Sequence, residues 1–326
     1  MVKVAVLDDY QHALENAPAI KRLRNISQVT IFNEKFNSEV DLVQALEHCS
    51  AVIPIRERTK FTASLLRKLP VLEFISQTGN HAYHIDMDAA TRAGIVVALA
   101  PGSGGTAELT FGLMMGIMRR IAQSDRALRN GEWPLVLGYV LKGKTLGILG
   151  LGKNGTEVAA IAHGFGMKVI AWGPTLDRER AAKSRALFMP LDEVLETADI
   201  VSVHLKLSEQ SKGLIDERRL RLMKQSAYIV NTARGAIIDE LALVKILQEN
   251  AIAGAALDVF VEEPLPPTHP LLKLENVLLT PHLGWPTDAG FHDFAENAVT
   301  NILDYLDGKL TRALNPEALR HRVKAP

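Results

Sequence analysis

Short apolar segments rich in β-branched residues recur along the chain, separated by stretches in which apolar residues are spaced three or four apart. The first pattern is typical of buried strands and the second of amphipathic helices. Their alternation predicts a doubly wound α/β fold, in which helices cover both faces of a parallel sheet. In the first third of the chain the predicted strands cover residues 2–7, 29–32, 51–55, 72–75 and 95–98.

A loop rich in proline, glycine and serine, APGSGGT at residues 100–106, interrupts this series. The next stretch, residues 107–129, predicts one long helix. Its apolar residues are too dense for a single stripe, so we expect either burial on several sides or a dimer face. A second parallel sheet is predicted after it, with strands at 145–149, 169–172, 186–189, 200–204, 228–231, 255–259 and 277–279.

The length of 326 residues exceeds one ordinary core and favours two domains. A final helix is predicted at 290–306, after the last strand of the second series, and we expect it to pack back on the first domain. The first domain would then be discontinuous. We predict domains formed by residues 1–100 with 288–326, and by residues 101–287.

The charge balance argues against nucleic acid and membranes as partners. Lys plus Arg number 37 and Asp plus Glu number 37, with no long basic run, and no apolar stretch approaches the ~18 residues of a membrane span. The first strand begins at residue 2 without a leader-like segment, so we expect a cytoplasmic protein acting on small molecules. The single cysteine, Cys49, is expected to be a small core residue, and we expect no bound metal.

A glycine-rich loop between a predicted strand and helix indicates a dinucleotide site. In KTLGILGLGKNGTEVAAIA, the spacing G-x-G-x-x-G allows a tight turn, the approach of a pyrophosphate, and close packing of helix on strand. The same loop occurs in purely structural turns and in proteins that bind S-adenosylmethionine. The predicted cofactor contacts here are Gly150, Gly152, Lys153, Asn154 and Gly155.

The end of the next strand bears on the choice between NAD and NADP. Where a carboxylate usually binds the ribose hydroxyls, this chain has Gly173, and Thr175, Arg178 and Arg180 follow closely enough to contact a 2′-phosphate. This favours NADP. The alternative is that the arginines are solvated charges at a helix start and that Asp177 binds the ribose of NAD.

Three later loops, each at the carboxyl end of a predicted strand, supply a cation, carboxylates and an imidazole. They are YIVNTARG with Arg234, LDVFVEEP with Glu262 and Glu263, and LLTPHLG with His282. Reduction of a 2-keto acid needs a cation for the substrate carboxylate, a proton donor for the developing alkoxide, and a group that keeps the donor protonated. Singly, each could be a structural loop residue. Together, downstream of a dinucleotide loop, they predict a hydride-transferring enzyme.

These motifs, in this order and spacing, resemble the D-isomer-specific 2-hydroxyacid dehydrogenase family, and the resemblance covers nearly the whole chain. It implies an NAD(P)-dependent oxidoreductase with a Rossmann cofactor domain inserted in a flavodoxin-like substrate domain. By the same resemblance, Arg234 binds the keto acid, His282 is the acid/base, and Glu263 rather than Glu262 is its partner. A dinucleotide-sensing corepressor of the same fold is the alternative.

The resemblance also implies substrate and cofactor contacts elsewhere. Backbone N–H groups near Thr78, Gly79 and Asn80 would receive the substrate carboxylate, and Arg56 could add a cation, although a surface ion pair with Glu57 is equally compatible. For His204 a buried structural role remains open. The family favours a homodimer. Further cofactor contacts are predicted at Thr106, His204, Leu205, Thr232, Ala233, Arg234, Asp258, His282 and Gly284.

The residue after TPHLG departs from the family pattern. Trp285 and Pro286 stand where many relatives have small residues. A bulky indole would narrow the substrate pocket and favour small acids such as glyoxylate or hydroxypyruvate. The alternative is that Trp285 is a packed residue between the domains.

Overall fold

The structure, a computed structural model, describes residues 2–321. Within it the chain divides into two compact units. The first comprises the residues up to Gly104 together with those from Pro286 onward, and the second comprises Gly105–Trp285. The sequence pattern placed the corresponding boundaries near residues 100 and 288.

The first unit is a five-stranded parallel sheet of order β2-β1-β3-β4-β5, flanked by helices. The strands are mostly buried because both faces of the sheet are covered. Its elements up to the loop at 101–105 are β1 (Val2–Leu7), α1 (Pro18–Arg24), β2 (Ser27–Ile31), α2 (Glu39–Leu46), β3 (Ala51–Pro54), α3 (Ala63–Arg67), β4 (Phe74–Thr78), α4 (Met87–Arg92) and β5 (Val96–Ala100).

The second unit is a seven-stranded parallel sheet of order β12-β11-β10-β9-β6-β7-β8. It carries two buried apolar clusters, one on each side of the sheet. Its elements are α5 (Thr106–Met118), α6 (Ile121–Arg129), β6 (Thr145–Leu149), α7 (Lys153–Gly164), β7 (Lys168–Trp172), α8 (Arg178–Lys183), β8 (Leu187–Phe188), α9 (Leu191–Thr197), β9 (Ile200–Val203), α10 (Glu217–Leu220), β10 (Tyr228–Asn231), α11 (Glu240–Gln248), β11 (Gly254–Leu257) and β12 (Val277–Leu279), with 3-10 turns at Gly235–Ile237 and Pro270–Lys273.

The last long helix, α12 (Asp288–Leu306), belongs to the first unit. It packs on β4 and β5. Asn301, which is fully buried, donates to the Leu99 carbonyl at 2.9 Å and to Ser76 Oγ at 3.2 Å. A buried amide that is hydrogen-bonded in this way fixes the helix against the strands. A 3-10 turn, Pro316–His321, ends the described chain.

One predicted element is wrong: residues 107–129 form two helices, α5 and α6, and not one. Arg120 adopts a left-handed backbone with φ of 52° and interrupts the helical hydrogen bonding. The environment changes at the same place, because α5 buries eight residues whereas α6 buries none. Met114 and Met118 are core residues, so α5 is a core helix.

Cys49 is 7% exposed and belongs to the core of the first unit, as predicted. Among residues 2–321, no helix combines the length and apolar character needed to cross a membrane.

Candidate active site

The glycine-rich loop joins β6 to α7, and its backbone explains why glycines stand there. Gly150 has φ of +100°, and a Cβ at this position would lie 2.8 Å from the His204 carbonyl carbon and 2.9 Å from Leu205 N. A Cβ on Gly155 would collide with the Gly150 carbonyl oxygen. Side chains at these two positions would therefore push apart the loop, the helix and the end of β9.

The middle of the loop fits a pyrophosphate. A Cβ on Gly152 would project into open space, with no described atom within 4 Å. Gly152 is also the N-cap of α7, and no side chain among residues 2–321 caps that end. The first N–H groups of a 12-residue helix are thus left available for an anion at the positive end of the helix dipole. Lys153 and Asn154, in the first turn, are exposed.

The loop lies where the winding of the sheet reverses. From β6 the chain continues through β7 and β8 to one side, whereas β9 to β12 extend on the other side. Ligands of open α/β sheets bind at such a switch point, outside the carboxyl ends of the strands. The residues that follow β9 are His204 and Leu205.

His204 carries a neutral ring at neutral pH. Burial of the imidazole lowers its pKa to about 4. Its Nε2 lies 2.7 Å from Ser202 Oγ, a partner on the same strand end. The structural role that the sequence left open for His204 is therefore filled by this hydrogen bond, while a contact with the cofactor stays a prediction.

The end of β7 lies beside the glycine loop, because a Cβ on Gly173 would lie 3.8 Å from Gly150 Cα. After it, Asp177 caps α8 by accepting the Arg180 N–H at 2.8 Å. Arg180 Nη1 donates to the Thr175 carbonyl at 2.6 Å. Thr175 and Arg178 are exposed at this edge.

His282 and Glu263 are brought together from the loops after β12 and β11. His282 Nδ1 lies 2.7 Å from Glu263 Oε2, and the other carboxylate oxygen accepts the Phe260 N–H at 2.9 Å. The contact with His282 is made by Glu263 and not by its neighbour Glu262, so the structure distinguishes the two adjacent carboxylates. Nδ1 of His282 is engaged by Glu263. A proton exchanged with another molecule would therefore pass through Nε2.

The pKa of Glu263 lies below its ordinary value. Burial by itself would raise it, but the hydrogen bonds from His282 and from Phe260 N–H, with the charges of His282 and Arg234, lower it by more. Glu263 is therefore ionised at neutral pH, and its Oε2 can accept a hydrogen bond from His282 Nδ1.

Asp258 holds the loop that positions His282. Its carboxylate is fully buried and accepts hydrogen bonds from Thr280 Oγ1 at 2.6 Å, Leu283 N at 2.6 Å and Gly284 N at 2.9 Å. His282 has a left-handed backbone with φ of 55°, an uncommon conformation for a residue with a side chain. The bonds to Asp258 stabilise this conformation. Sequence reasoning predicted Asp258 as a cofactor contact and missed this loop-holding role.

The Arg234 loop is fixed by Asn231, a residue that sequence reasoning did not single out. Asn231 Oδ1 accepts the Ala233 N–H and its Nδ2 donates to the Arg234 carbonyl, both at 3.0 Å. Arg234 Nη1 donates to the Ala233 carbonyl at 2.6 Å. A Cβ on Gly235 would collide with the Phe260 backbone, so this glycine lets the Arg234 loop pack against the loop that carries Glu263.

Two threonine contacts tie α5 to the same edge of the sheet. Thr106 Oγ1 donates to the Gly284 carbonyl at 2.8 Å, and Thr110 Oγ1 lies 2.9 Å from Thr232 Oγ1. Thr106, Thr232 and Gly284 were predicted as cofactor contacts, and the structure brings them to the edge that also carries Arg234 and His282. Thr110 was missed, because nothing in its helical sequence context distinguishes it from a core threonine.

In the first unit, the predicted substrate loop follows β4. Gly79 has φ of +106°, and the Arg56 backbone N–H donates to Thr78 Oγ1 at 2.8 Å. The Gly79 N–H donates to the Ala100 carbonyl at 2.8 Å, extending the pairing of β4 with β5. Of the three N–H groups expected to receive a carboxylate, that of Gly79 is thus already used within the protein. Asn80 is exposed.

Arg56 follows β3, and its side chain lies against this loop. A Cβ on Gly79 would come within 2.5 Å of Arg56 Nη1. The ion pair with Glu57 that stood as the alternative also occurs, with Arg56 Nε 3.4 Å from Glu57 Oε2. The two interpretations are therefore compatible. Trp285 is partly exposed at the last position of the second unit, and its contribution to a substrate pocket stays a prediction.

Comparisons with known proteins show the family to which the chain belongs. Residues 111–284 match the family model described as D-isomer specific 2-hydroxyacid dehydrogenase, NAD binding domain. The chain is 38% identical over 321 residues to a glyoxylate reductase of Thermofilum pendens, covering 94% of this chain and 93% of that protein. It is 36% identical over 307 residues to a D-3-phosphoglycerate dehydrogenase of Rattus norvegicus, covering 93% of this chain and 57% of that protein.

A solved structure of an oxidoreductase from Ralstonia solanacearum superposes with a TM-score of 0.90 at 37% identity, covering 100% of this chain and 99% of that chain. The two parallel-sheet α/β units confirm the predicted fold class. Together with the family model and the relatives, they identify an NAD(P)-dependent oxidoreductase. The chain belongs to the D-isomer-specific 2-hydroxyacid dehydrogenase family, as its motifs predicted.

Proposed function

We propose that the enzyme reduces small 2-keto acids, such as glyoxylate or hydroxypyruvate, to D-2-hydroxy acids, with His282, Glu263 and Arg234 as its catalytic residues. The observation that carries the proposal is the His282–Glu263 contact of 2.7 Å on the sheet edge that also carries Arg234. Similarity to a glyoxylate reductase over nearly the whole of both chains supports the substrate class.

The nicotinamide dinucleotide, when bound, supplies the hydride to C2 of the keto acid. Arg234 binds the substrate carboxylate and, through its planar group of N–H donors, fixes and polarises the reacting carbonyl. His282 donates a proton from Nε2 to the oxygen on C2 as negative charge develops there. Glu263 stabilises the imidazolium before transfer. In the oxidative direction His282 accepts the proton instead.

The loop after β4 in the first unit is proposed to bind substrate as well. Among the residues Thr78, Gly79 and Asn80, the substrate would be received by N–H groups other than that of Gly79, which donates to the Ala100 carbonyl, and Arg56 would supply a second cation. Trp285 limits the size of the group on C2, which is why we propose small acids. The domain of residues 1–100 and 288–326 is accordingly the proposed substrate domain, and residues 101–287 the proposed dinucleotide domain.

For the cofactor we propose a preference for NADP. No carboxylate stands at Gly173 to repel a 2′-phosphate, and Thr175 and Arg178 are exposed beside it. In the alternative, Asp177 would bind the ribose of NAD. One of its carboxylate oxygens already caps α8, which supports the choice of NADP. The remaining proposed contacts follow the edge described above, at Lys153, Asn154, Leu205, Ala233 and Asp258.

A panel of 2-keto acids assayed with both NADH and NADPH tests the proposal. We expect the highest kcat/KM for glyoxylate or hydroxypyruvate with NADPH, and a D-configured product.

Arg178→Ser is expected to raise the KM for NADPH about 10-fold and to leave the KM for NADH unchanged, since an exposed phosphate contact contributes on the order of 1 kcal/mol. Arg221→Ser, at the exposed C-cap of α10, is the matched control. A wild type that reduces none of the acids contradicts the proposed function, and a strong preference for NADH contradicts the cofactor choice alone.

We further propose a homodimer formed through the segment 121–140. Large apolar side chains are exposed there at a density that is unusual for a free surface, and a self-complementary patch of this kind suits a two-fold dimer. The most exposed are Trp133 at 81%, Leu135 at 93%, Leu137 at 80% and Val140 at 66%.

Sedimentation at micromolar concentration is expected to give a dimer. The double variant Trp133→Ser, Leu135→Ser is expected to shift it to the monomer, because each substitution removes apolar area from the proposed interface. Leu241→Ser, at a residue of α11 that is 82% exposed, is the control and should stay dimeric. A monomeric wild type would count against the proposal.

A further inference from the structure

A cluster of charged and aromatic residues surrounds Arg56 next to the proposed substrate loop. Glu57 lies at its centre: His81 Nε2 is 2.6 Å from Glu57 Oε1, and the Tyr83 hydroxyl donates to the same oxygen at 3.0 Å. The other oxygen, Oε2, faces Arg56 Nε at 3.4 Å. The His81 and Tyr83 rings stack with centroids 4.2 Å apart. The carboxylate is therefore held from three directions and is not a freely moving surface group.

The Glu57 carboxylate is ionised in this cluster. Burial would raise the pKa of Glu57, but the hydrogen bond with His81 and the charges of Arg56 and His81 hold it well below the ordinary range. The nearby His84 contributes no compensating charge at neutral pH, since burial lowers its pKa to about 4. Its Nε2 instead lies 3.0 Å from Gln77 Oε1.

The position of the cluster connects it to substrate choice. The Arg56 guanidinium rests against Gly79, so it is the cation that a second negative group on a substrate in this loop would meet. Glu57 lies on the Nε side of that guanidinium and offsets part of its positive charge. A phosphate near Arg56 would meet the fixed negative charge of Glu57 at short range, in surroundings only about a quarter exposed to solvent.

We propose that Glu57 is a specificity-determining residue that excludes phosphorylated 2-keto acids and so restricts the enzyme to substrates with a single negative charge. The inference rests on the proposed function, because it assumes that the Gly79 loop receives the keto acid. The exclusion of phosphorylated acids would distinguish the substrates of this enzyme from those of a phosphoglycerate dehydrogenase, although the two proteins are similar in sequence. A charge that repels the competing substrate is a recognised route to specificity.

The test compares hydroxypyruvate with 3-phosphohydroxypyruvate, two acids that differ by one phosphate. We expect the wild type to favour hydroxypyruvate. Glu57→Gln should raise the ratio of kcat/KM for the phosphorylated over the unphosphorylated acid by about 10-fold or more, mainly through KM. Glu57→Asp keeps the charge and should keep the ratio near that of the wild type. Because each ratio is taken within one preparation, a loss of active protein cancels.

Glu47→Gln is the matched control. Glu47 also pairs with a histidine, His48, at 3.1 Å, but it follows α2 at the amino edge of the sheet, away from the Gly79 loop. It should leave the ratio unchanged. An unchanged ratio in Glu57→Gln, or a wild type that favours the phosphorylated acid, would overturn the inference. So would equal loss of both activities in Glu57→Gln, because Glu57 would then only support Arg56. A wild type that reduces neither hydroxypyruvate nor glyoxylate would overturn the proposed function, and this inference with it.

Discussion

Substitution of His282 by Asn is expected to lower kcat for keto-acid reduction by ~100- to 10,000-fold, the usual contribution of a general acid. Asn can still accept or donate one hydrogen bond, but it carries no proton that it can release at neutral pH. Glu263 would remain in place, since its second oxygen is bound to the Phe260 N–H. We therefore expect the dissociation constant for NADPH, measured by the fluorescence of the reduced nicotinamide, to change little.

The chain offers a close control in His269. Its Nε2 pairs with Glu240 Oε1 at 3.2 Å, and its Nδ1 accepts the Leu271 N–H, so it is also a histidine paired with a glutamate in a loop. His269→Asn should retain wild-type kcat. If His282→Asn keeps more than about a tenth of the wild-type kcat, His282 is not the proton donor. The comparison also separates a catalytic site from one that only senses dinucleotide, in which neither substitution would alter a reaction.

The strands could be predicted closely where they are continuously apolar. The predicted bounds of β1, β6, β10 and β12 coincide with those observed. The prediction for β4 ended at residue 75, whereas the strand continues to Thr78. The additional residues are polar but fully buried, and Ser76 satisfies its hydroxyl by donating to the Ala298 carbonyl of α12. Hydropathy alone cannot reveal such a partner, because it lies more than 200 residues away in the chain.

The break between α5 and α6 was hidden for a related reason. The composition of 107–129 is helical throughout, and Arg120 is not a residue that normally ends a helix. What changes there is burial, from a core helix to one with no buried residue. Tertiary surroundings decide that boundary, and local propensity does not.

In the candidate site, the sequence predicted which loops meet but not how they are held. Arg234, Glu263 and His282 each follow a strand of one parallel sheet, so their approach could be expected from topology. The supports could not. Asp258 accepts three hydrogen bonds from the His282 loop, and Asn231 makes two hydrogen bonds with the Arg234 loop. Those contacts depend on side-chain directions that appear only in three dimensions.

The surroundings of the Arg56–Glu57 pair likewise could not be predicted from the sequence. In the sequence, Arg56 next to Glu57 indicates no more than a local ion pair, which is of little energetic consequence at a surface. The structure adds His81, Tyr83 and the backbone of Gly79 around the pair. Adjacent charges become a specificity hypothesis only when their surroundings are known.

Replacement of Arg234 by Gln is the second change for which we expect a very large effect. The proposed interaction is a pair of charge-assisted hydrogen bonds with the substrate carboxylate, each worth about 1.5–3 kcal/mol. Their loss corresponds to a fall in kcat/KM on the order of 100- to 10,000-fold. Both constants should change, because Arg234 is proposed to bind the ground state and to polarise the carbonyl in the transition state.

Arg234→Lys separates the effect of the positive charge from that of the planar pair of N–H donors. Lysine restores the positive charge but not the planar pair of donors, so kcat/KM should recover only partly, and more through KM than through kcat. Arg221→Gln is the control: it removes an arginine that bridges Glu217 at 2.8 Å and Glu249 at 2.7 Å on the surface of the same unit, and it should leave both constants unchanged. Steady-state kinetics with hydroxypyruvate at saturating NADPH measures all three variants. Full recovery in Arg234→Lys would show that charge alone suffices, and an unaffected Arg234→Gln would remove this residue from the substrate site.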